Sequence, residues 1–257
     1  MQIAKTIYEL NNFKKENLGK IAFVPTMGAL HEGHISLIRL AKDHGDQVIV
    51  SIFVNPTQFA PHEDFDSYPR EIEKDTKLLN DEGVDILFLP TEDLLYPNGH
   101  HSKIKAGKAA LGLETEFRPH FFDGVVNVVH RLFNAVKPDI AIFGEKDFQQ
   151  LQVIREMVET LNLPIEIIGA PIARDEYGLA LSSRNTYLSK DELEIARTFN
   201  IILKNTAKTK NYDKAKEELL SNGFNKIDYI ETRWNRVLGA AWLGKTRLID
   251  NIEITDF

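Results

Sequence analysis

Val24-Pro25-Thr26-Met27-Gly28-Ala29-Leu30-His31-Glu32-Gly33-His34 closes an apolar run that begins at Ile21, and it opens a helix. The inward positions of that helix are expected at His34, Leu37, Ile38 and Ala41, spaced i, i+3, i+4 and i+7. A strand that passes through a glycine turn straight into a helix is the first half of a β–α–β unit. Further apolar runs follow at Val48 to Val54, Val84 to Leu89, Ile140 to Phe143 and Ile165 to Ile168. Helical stripes stand between and after them, at Val125, Val129, Leu132 and Val136 and at Phe148, Leu151, Ile154, Val158 and Leu161. Each run is nearly continuous in apolar residues, as in strands covered on both faces, and strands alternating with helices build a parallel sheet. The expected fold is α/β, a Rossmann-like doubly wound parallel sheet with a second, smaller α+β domain.

The texture changes after Pro171, which divides the chain into an expected first domain of residues 1–172 and a second of 173–257. In the second, Ser189 with Glu192 three residues on is a capping box that opens a helix running through Ile201. A Lys/Glu-rich helix is expected near Tyr212 to Leu220, and strands at Ile227 to Thr232 and Thr246 to Ile249. About 85 residues bury little core, so this part is expected to lean on the first domain or on a partner chain.

Composition narrows the chemistry. The 257 residues are 43% apolar and 27% charged, a globular balance that excludes disorder as the main state. The formal net charge of −7 disfavours nucleic acid and anionic lipid as partners. With no cysteine in the chain, disulfides, thiolate metal sites and cysteine nucleophiles are excluded. No segment approaches 18 consecutive apolar residues and the first residues lack a secretion signal, so a soluble, cytoplasmic protein is expected.

His31 and His34 fall at the amino end of a helix that starts from the carboxyl edge of the first predicted strand. There the helix dipole and open main-chain N–H groups attract an anion, and Gly28 and Gly33 allow a phosphate to approach the backbone. From 8 histidines and 15 glycines in 257 residues, chance gives His-x-Gly-His roughly 0.015 times. A core histidine at a helix start and a zinc site are the competing readings; the second is weakened by the lack of an evident third ligand. Asn55-Pro56-Thr57-Gln58-Phe59 places amides at the same edge. Lys146 and Asp147 are expected in the first turn of the next helix, where a cation opposes the dipole and so points to a bound anion. Leu181-Ser182-Ser183-Arg184-Asn185 carries hydroxyls and a guanidinium suited to phosphate oxygens. Glu63, Asp64 and Asp66 form an acidic loop, either solvated or able to help hold Mg²⁺ through water.

Pro25 to His34 resembles the His-x-Gly-His element of the nucleotidyltransferase superfamily in the form used by the pantoate–β-alanine ligase family, the pantothenate synthetases. Val54 to Phe59, Gly144 to Gln150, Leu181 to Asn185 and Arg247-Leu248-Ile249-Asp250-Asn251 match in the family's order and span nearly the whole chain. The resemblance implies ATP as co-substrate with Mg²⁺, pantoate and β-alanine as partners, a pantoyl-adenylate intermediate, release of pyrophosphate and AMP, and a homodimer. It assigns catalysis to His34, His31, Lys146 and Arg184. It assigns ATP binding to Met27, Gly28, Ala29, Leu30, His31, Glu32, Gly33, His34, Gly144, Glu145, Lys146, Asp147, Ala173, Leu181, Ser182, Ser183 and Arg184. Pantoate and β-alanine fall to Pro25, Met27, Gln58 and Gln150.

The chain departs from the family at three places. Arg118-Pro119-His120-Phe121-Phe122-Asp123-Gly124 stands where the family reads Arg-Pro-Gly-His-Phe, so His120 inherits no role. Ala173 replaces a bulkier aliphatic, and the second domain is shorter than is common. A plain nucleotidyltransferase, which leaves AMP on its product, and a nucleotide sensor without turnover are the rival readings.

Overall fold

The protein is described from a computed structural model covering residues 1–15, 19–59, 65–100 and 104–255. Its contacts divide it into one unit of Met1–Glu145 with Gln149–Ala170 and another of Lys146–Phe148 with Pro171–Phe257.

The first unit holds strands β1 (Gln2–Ala4), β2 (Ile21–Thr26), β3 (Gln47–Ile52), β4 (Ile86–Phe88), β5 (Ile140–Gly144) and β6 (Glu166–Ala170). They form one sheet in the order β1-β4-β3-β2-β5-β6, every neighbouring pair parallel. Helices α1 (Ile7–Lys15), α2 (Glu32–His44), α3 (Ile72–Asp81), α4 (Glu92–Leu95), α5 (Glu114–Phe117), α6 (Phe121–Val136) and α7 (Phe148–Thr160) lie between the strands. Strand β3, predicted by the run Val48 to Val54, is buried at all six of its positions, as a central strand covered on both faces must be. The first strand, β1, escapes the sequence reading because three residues at a sheet edge cannot show a run.

Val24, Ile35, Ile38, Val50, Leu79, Leu87 and Ile142 meet in one core beneath α2. Each such side chain contributes roughly 1.5–3 kcal/mol on burial. From β2 the chain proceeds through β3 to β4 on one side, whereas β5 and β6 add on the other. The carboxyl ends of β2 and β5 therefore flank the topological switch point, where open α/β sheets bind ligands.

In the second unit, α8 (Lys190–Thr209) starts at the expected capping box. Ser189 Oγ accepts from Glu192 N at 3.2 Å and Glu192 Oε2 accepts from Ser189 N at 2.8 Å. It continues past Ile201 to Thr209 because Ile202, Leu203, Thr206 and Ala207 extend the buried stripe. Helix α9 (Tyr212–Ser221) precedes an antiparallel sheet of β7 (Lys226–Arg233), β8 (Arg236–Leu243) and β9 (Thr246–Glu253). The middle strand β8 is absent from the sequence reading, since Gly239-Ala240-Ala241 is poor strand material. Its small residues leave room for α8: a β-carbon on Gly239 would lie 3.0 Å from Leu203 and 3.1 Å from Phe199.

Candidate functional site

Thr26 closes β2, its hydroxyl donating to the Ser51 carbonyl at 2.8 Å and accepting from Gly28 N at 3.2 Å. The chain then turns through two left-handed residues, Gly28 (φ 84°) and Ala29 (φ 51°). Asp75 of α3, only 1% exposed, clamps this turn: its two carboxylate oxygens accept the N–H groups of Ala29 and Leu30, each at 2.9 Å. A β-carbon on Gly28 would stand 3.0 Å from Asp75 Oδ2 and 3.0 Å from Ile52, so this position requires glycine for both its φ and its space. Burial pushes the Asp75 carboxyl above its ordinary range, against the opposing pull of the two N–H donors.

Two imidazoles cap α2. His31, in extended conformation at the N-cap, accepts from Gly33 N on Nδ1 at 3.1 Å, and His34 accepts from His31 N on Nδ1 at 3.3 Å. The ring centroids lie 4.2 Å apart. A neutral imidazole that accepts on Nδ1 carries its proton on Nε2, so each ring is set as an Nε2–H donor. The pair expected from the sequence does assemble, but the inward face of α2 is Ile35, Ile38 and Ala41, with His34 half-buried beside it. The expectation of open main-chain N–H groups is also altered. Those of Gly28, Ala29, Leu30, His31 and Gly33 all have acceptors within the chain, so an anion here meets imidazoles and the helix dipole. Glu32 is exposed and ion-paired with Arg39.

Beyond β3, Asn55 is buried and caps a 3₁₀ turn at Pro56–Gln58. Its Nδ2 donates to Gln58 Oε1 at 3.2 Å and to the Gly124 carbonyl at 3.3 Å, and its Oδ1 accepts from the Tyr96 hydroxyl at 2.8 Å. Burial raises the Tyr96 pKa, which keeps that hydroxyl a donor. Gln58 Nε2 in turn donates to Met27 Sδ at 3.0 Å, so two residues expected on the pantoate side meet. Helix α6 presses on this turn so closely that a β-carbon at Gly124 would fall 2.4 Å from the Thr57 carbonyl oxygen.

At the end of β5, Gly144 and Glu145 are half-buried, and Glu145–Asp147 form a 3₁₀ turn before α7. Lys146 and Asp147 thus precede the α-helix, a shift from the expected first α-turn; Lys146 Nζ lies 3.5 Å from Asp147 Oδ2. Gln149 is buried and saturated by Glu114 N, the Ala109 carbonyl and the Gly112 carbonyl, whereas Gln150 is half-buried. Within the second unit, Leu181 N donates to the Ala173 carbonyl at 2.9 Å, and Ser182 Oγ caps the turn Ser183–Tyr187 by accepting from Arg184 N at 3.3 Å.

A family model described as pantoate-beta-alanine ligase matches residues 2–253. The chain is 49% identical over 266 residues to a pantothenate synthetase of Mesorhizobium japonicum, covering 96% of this chain and 94% of the relative. It is 44% identical to a pantothenate synthetase of Aquifex aeolicus, covering 97% and 98%. Among solved structures it is similar to pantothenate synthetase from Thermus thermophilus, at 38% identity and TM-score 0.91, covering all of both chains. It is likewise similar to pantoate-beta-alanine ligase from Francisella tularensis, solved with beta-gamma ATP and β-alanine, at 40% identity and TM-score 0.92, covering 100% and 99%.

The chain belongs to the pantoate–β-alanine ligase family.

Where the chain departs from the family's middle motif, His120 is exposed at the start of α6 and Phe121 lies under the Arg118 guanidinium, 3.8 Å from ring centroid to Cζ. Arg118 itself donates to the Gln58 carbonyl at 3.2 Å, so this stretch steadies the turn that bears Gln58. Glu63 and Asp64 lie outside the described residues, and Asp66 is exposed. Among the described residues no helix is long and apolar enough to cross a membrane.

Sequence alone does not point to Asp75 as a site-building residue, and it marks Asn55 only as one of the amides at the edge of β3. Asp75 did leave a signal: it shares the buried face of α3 with Leu79, four residues on, and an acid on an apolar stripe needs a partner.

Proposed function

We infer that the protein joins pantoate to β-alanine at the expense of ATP, and that the reaction passes through pantoyl adenylate. The observation that carries this reading is the imidazole-capped helix at the β2/β5 switch point in a member of this family. A carboxylate does not condense with an amine directly, because hydroxide would have to leave. In the first half-reaction the pantoate carboxylate attacks the α-phosphorus, and the bond to the pyrophosphate oxygen breaks. In the second, the β-alanine nitrogen attacks the acyl carbon, AMP leaves with the bonding pair, and the amine gives up a proton.

His31 and His34 donate through Nε2–H to the departing pyrophosphate, assisted by the dipole of α2. Contacts with the nucleotide fall to Met27, Gly28, Ala29, Leu30, Glu32, Gly33, Gly144 and Glu145, the ribose to Asp147, adenine to the main chain of Ala173, and Leu181 binds ATP as the first residue of the phosphate loop. Lys146, Ser182, Ser183 and Arg184 engage phosphate oxygens, the two cations stabilising charge that grows in the transition state. Pro25, Met27, Gln58 and Gln150 take pantoate, and Gln58 then the amine.

Mg²⁺ belongs to this proposal as the ion that travels on the triphosphate and neutralises part of its charge. Mg²⁺ keeps several waters and takes phosphate oxygens with one or two carboxylates, and among the described residues no three His, Asp or Glu side chains are grouped to hold a metal alone. A cytoplasmic homodimer completes the proposal. The test is incubation with ATP and pantoate, with and without β-alanine. Pyrophosphate–ATP exchange that needs pantoate, with AMP release that needs β-alanine, supports the reading. AMP retained on the product would make the protein a plain nucleotidyltransferase, and the absence of pyrophosphate would make it a sensor.

A further inference from the structure

The Arg247–Asn251 stretch helps carry the resemblance but has no role in the reaction described above. On β9, Asp250 is 4% and Asn251 2% exposed, an unusual pair of polar side chains for the middle of a strand. Within the second unit, Asn251 Nδ2 donates to the Lys146 carbonyl at 3.1 Å, while its Oδ1 accepts from Arg236 of β8 at 2.9 Å. Arg236 also covers the ring of Phe148, its Cζ 4.3 Å from the centroid. The three residues Lys146–Phe148 are thereby fastened to the β8–β9 pair at both ends.

Asp250 reaches a second group. Its carboxylate accepts the fork of Arg174 at 2.7 and 2.9 Å and Asn200 Nδ2 at 3.1 Å. Arg174 donates onward to the Gly178 carbonyl at 2.9 Å and bridges to Ala180, so it holds the strand pair in which the Ala173 carbonyl meets Leu181 N. That pairing delivers the chain into Ser182–Arg184.

We propose that Asp250 and Asn251 are positioning residues for the phosphate-handling groups of the second unit. Asn251 sets Lys146 through its carbonyl, and Asp250 sets Arg184 through Arg174. Two neighbours on one strand thus fix both cations in a single stretch of backbone. The proposal rests on the reading that Lys146 and Arg184 act on the triphosphate.

The test measures kcat and ATP KM of pantoate-dependent ATP–pyrophosphate exchange in the full chain for Asn251→Ala, Asn251→Asp and Arg174→Lys. Each is made alone and combined with Lys146→Ala or Arg184→Ala. A misplacement of about 1 Å costs up to about 10²-fold, so Asn251→Ala should lower kcat about 10- to 100-fold with ATP KM little changed. Coupled residues are not additive, so in the Lys146→Ala background the same change should cost less than about twofold, yet keep its full factor with Arg184→Ala. Arg174→Lys should show the mirror pattern.

Asn251→Asp retains the acceptor for Arg236 but puts a charged oxygen in place of the donor facing the Lys146 carbonyl, and should fall in the same direction as Asn251→Ala. Full, multiplicative losses in every background would overturn the proposal, as would wild-type exchange in Asn251→Asp or loss of cooperative unfolding in both Asn251 variants. Wild-type exchange in Lys146→Ala alone would sink the functional reading beneath it, an outcome distinct from those three.

Discussion

Asp75→Asn separates what the buried carboxylate does for the turn at Met27–Leu30 from what it does for folding. The turn holds Ala29 at φ 51°, which costs roughly 1–2 kcal/mol at a residue with a β-carbon. Two N–H bonds to an ionised acceptor, both 2.9 Å long, contribute roughly 1.5–3 kcal/mol each and offset that strain. Asparagine keeps one acceptor and turns an amide donor toward the other N–H. About 1.5–3 kcal/mol of hold on the turn is lost, and at 1.4 kcal/mol per tenfold the exchange reaction should slow by about 10- to 100-fold.

Stability should respond differently. Burial is the largest influence on Asp75 and raises its pKa above the ordinary 3.8; the N–H groups of Leu30 and Ala29 pull it down, Glu71 adds to the rise and Lys74 opposes it. A raised carboxyl pKa means that the folded chain binds the proton more tightly than the unfolded chain. Its stabilising contribution is full below the unfolded value and vanishes as pH rises through the folded one. At neutral pH the charge is therefore carried at a cost to folding. The neutral isostere should change unfolding free energy by less than about 1 kcal/mol, because loss of one hydrogen bond and relief of a buried charge oppose each other.

As pH falls through the window above 3.8, wild type should gain stability relative to Asp75→Asn and lose exchange activity, whereas the variant lacks that acid limb. Exchange rates and thermal unfolding, both followed against pH, check this. Wild-type exchange in a folded Asp75→Asn, or a loss of exchange that follows unfolding, would refute the assignment.

Lys146→Ala should reduce exchange by roughly 10²- to 10³-fold with folding kept, the range for one preorganised charge, and a near wild-type rate would remove Lys146 from the chemistry. In His34→Ala pantoate-dependent exchange should disappear while the melting curve reports only the lost cap on α2, about 1 kcal/mol; unchanged exchange would leave His34 a cap and nothing more. Gly28→Ala should cost about 1–3 kcal/mol in denaturant unfolding, from φ 84° and contacts at 3.0 Å, and an unshifted midpoint would show that the turn relaxes freely.

The parallel sheet and both imidazoles were legible because the information is local. Five strands of that sheet announce themselves as apolar runs, and His31 and His34 cap the same helix turn that their spacing suggests. Strand β8 was illegible for a related reason: Gly239 to Ala241 are small to admit Phe199 and Leu203, and that demand comes from another helix. The same applies to the state of the amides of Ala29 and Leu30. Their freedom could be read from the turn, but their acceptor is 46 and 45 residues away at Asp75, and whether a donor is open depends on groups the local pattern never mentions.

Distance along the chain also separates the groups that react from the groups that aim them. A reactive side chain must present a particular chemistry at a particular element end, and the residues proposed to react, His34, Lys146 and Arg184, stand at helix or turn starts where motif and spacing can be read together. An aiming residue has only to meet a carbonyl or an N–H, and any fold that closes the gap will serve. Asn251 meets Lys146 across 105 residues, and nothing in Asp250-Asn251 itself names that partner. What such residues do leave in the sequence is a cost: an acid on the apolar face of α3, or two polar side chains buried in mid-strand, lowers stability unless something else needs it there. Polar residues buried at core positions are therefore the ones to test first for a role in positioning, and Asp75 on α3 and Asn251 on β9 are two of them.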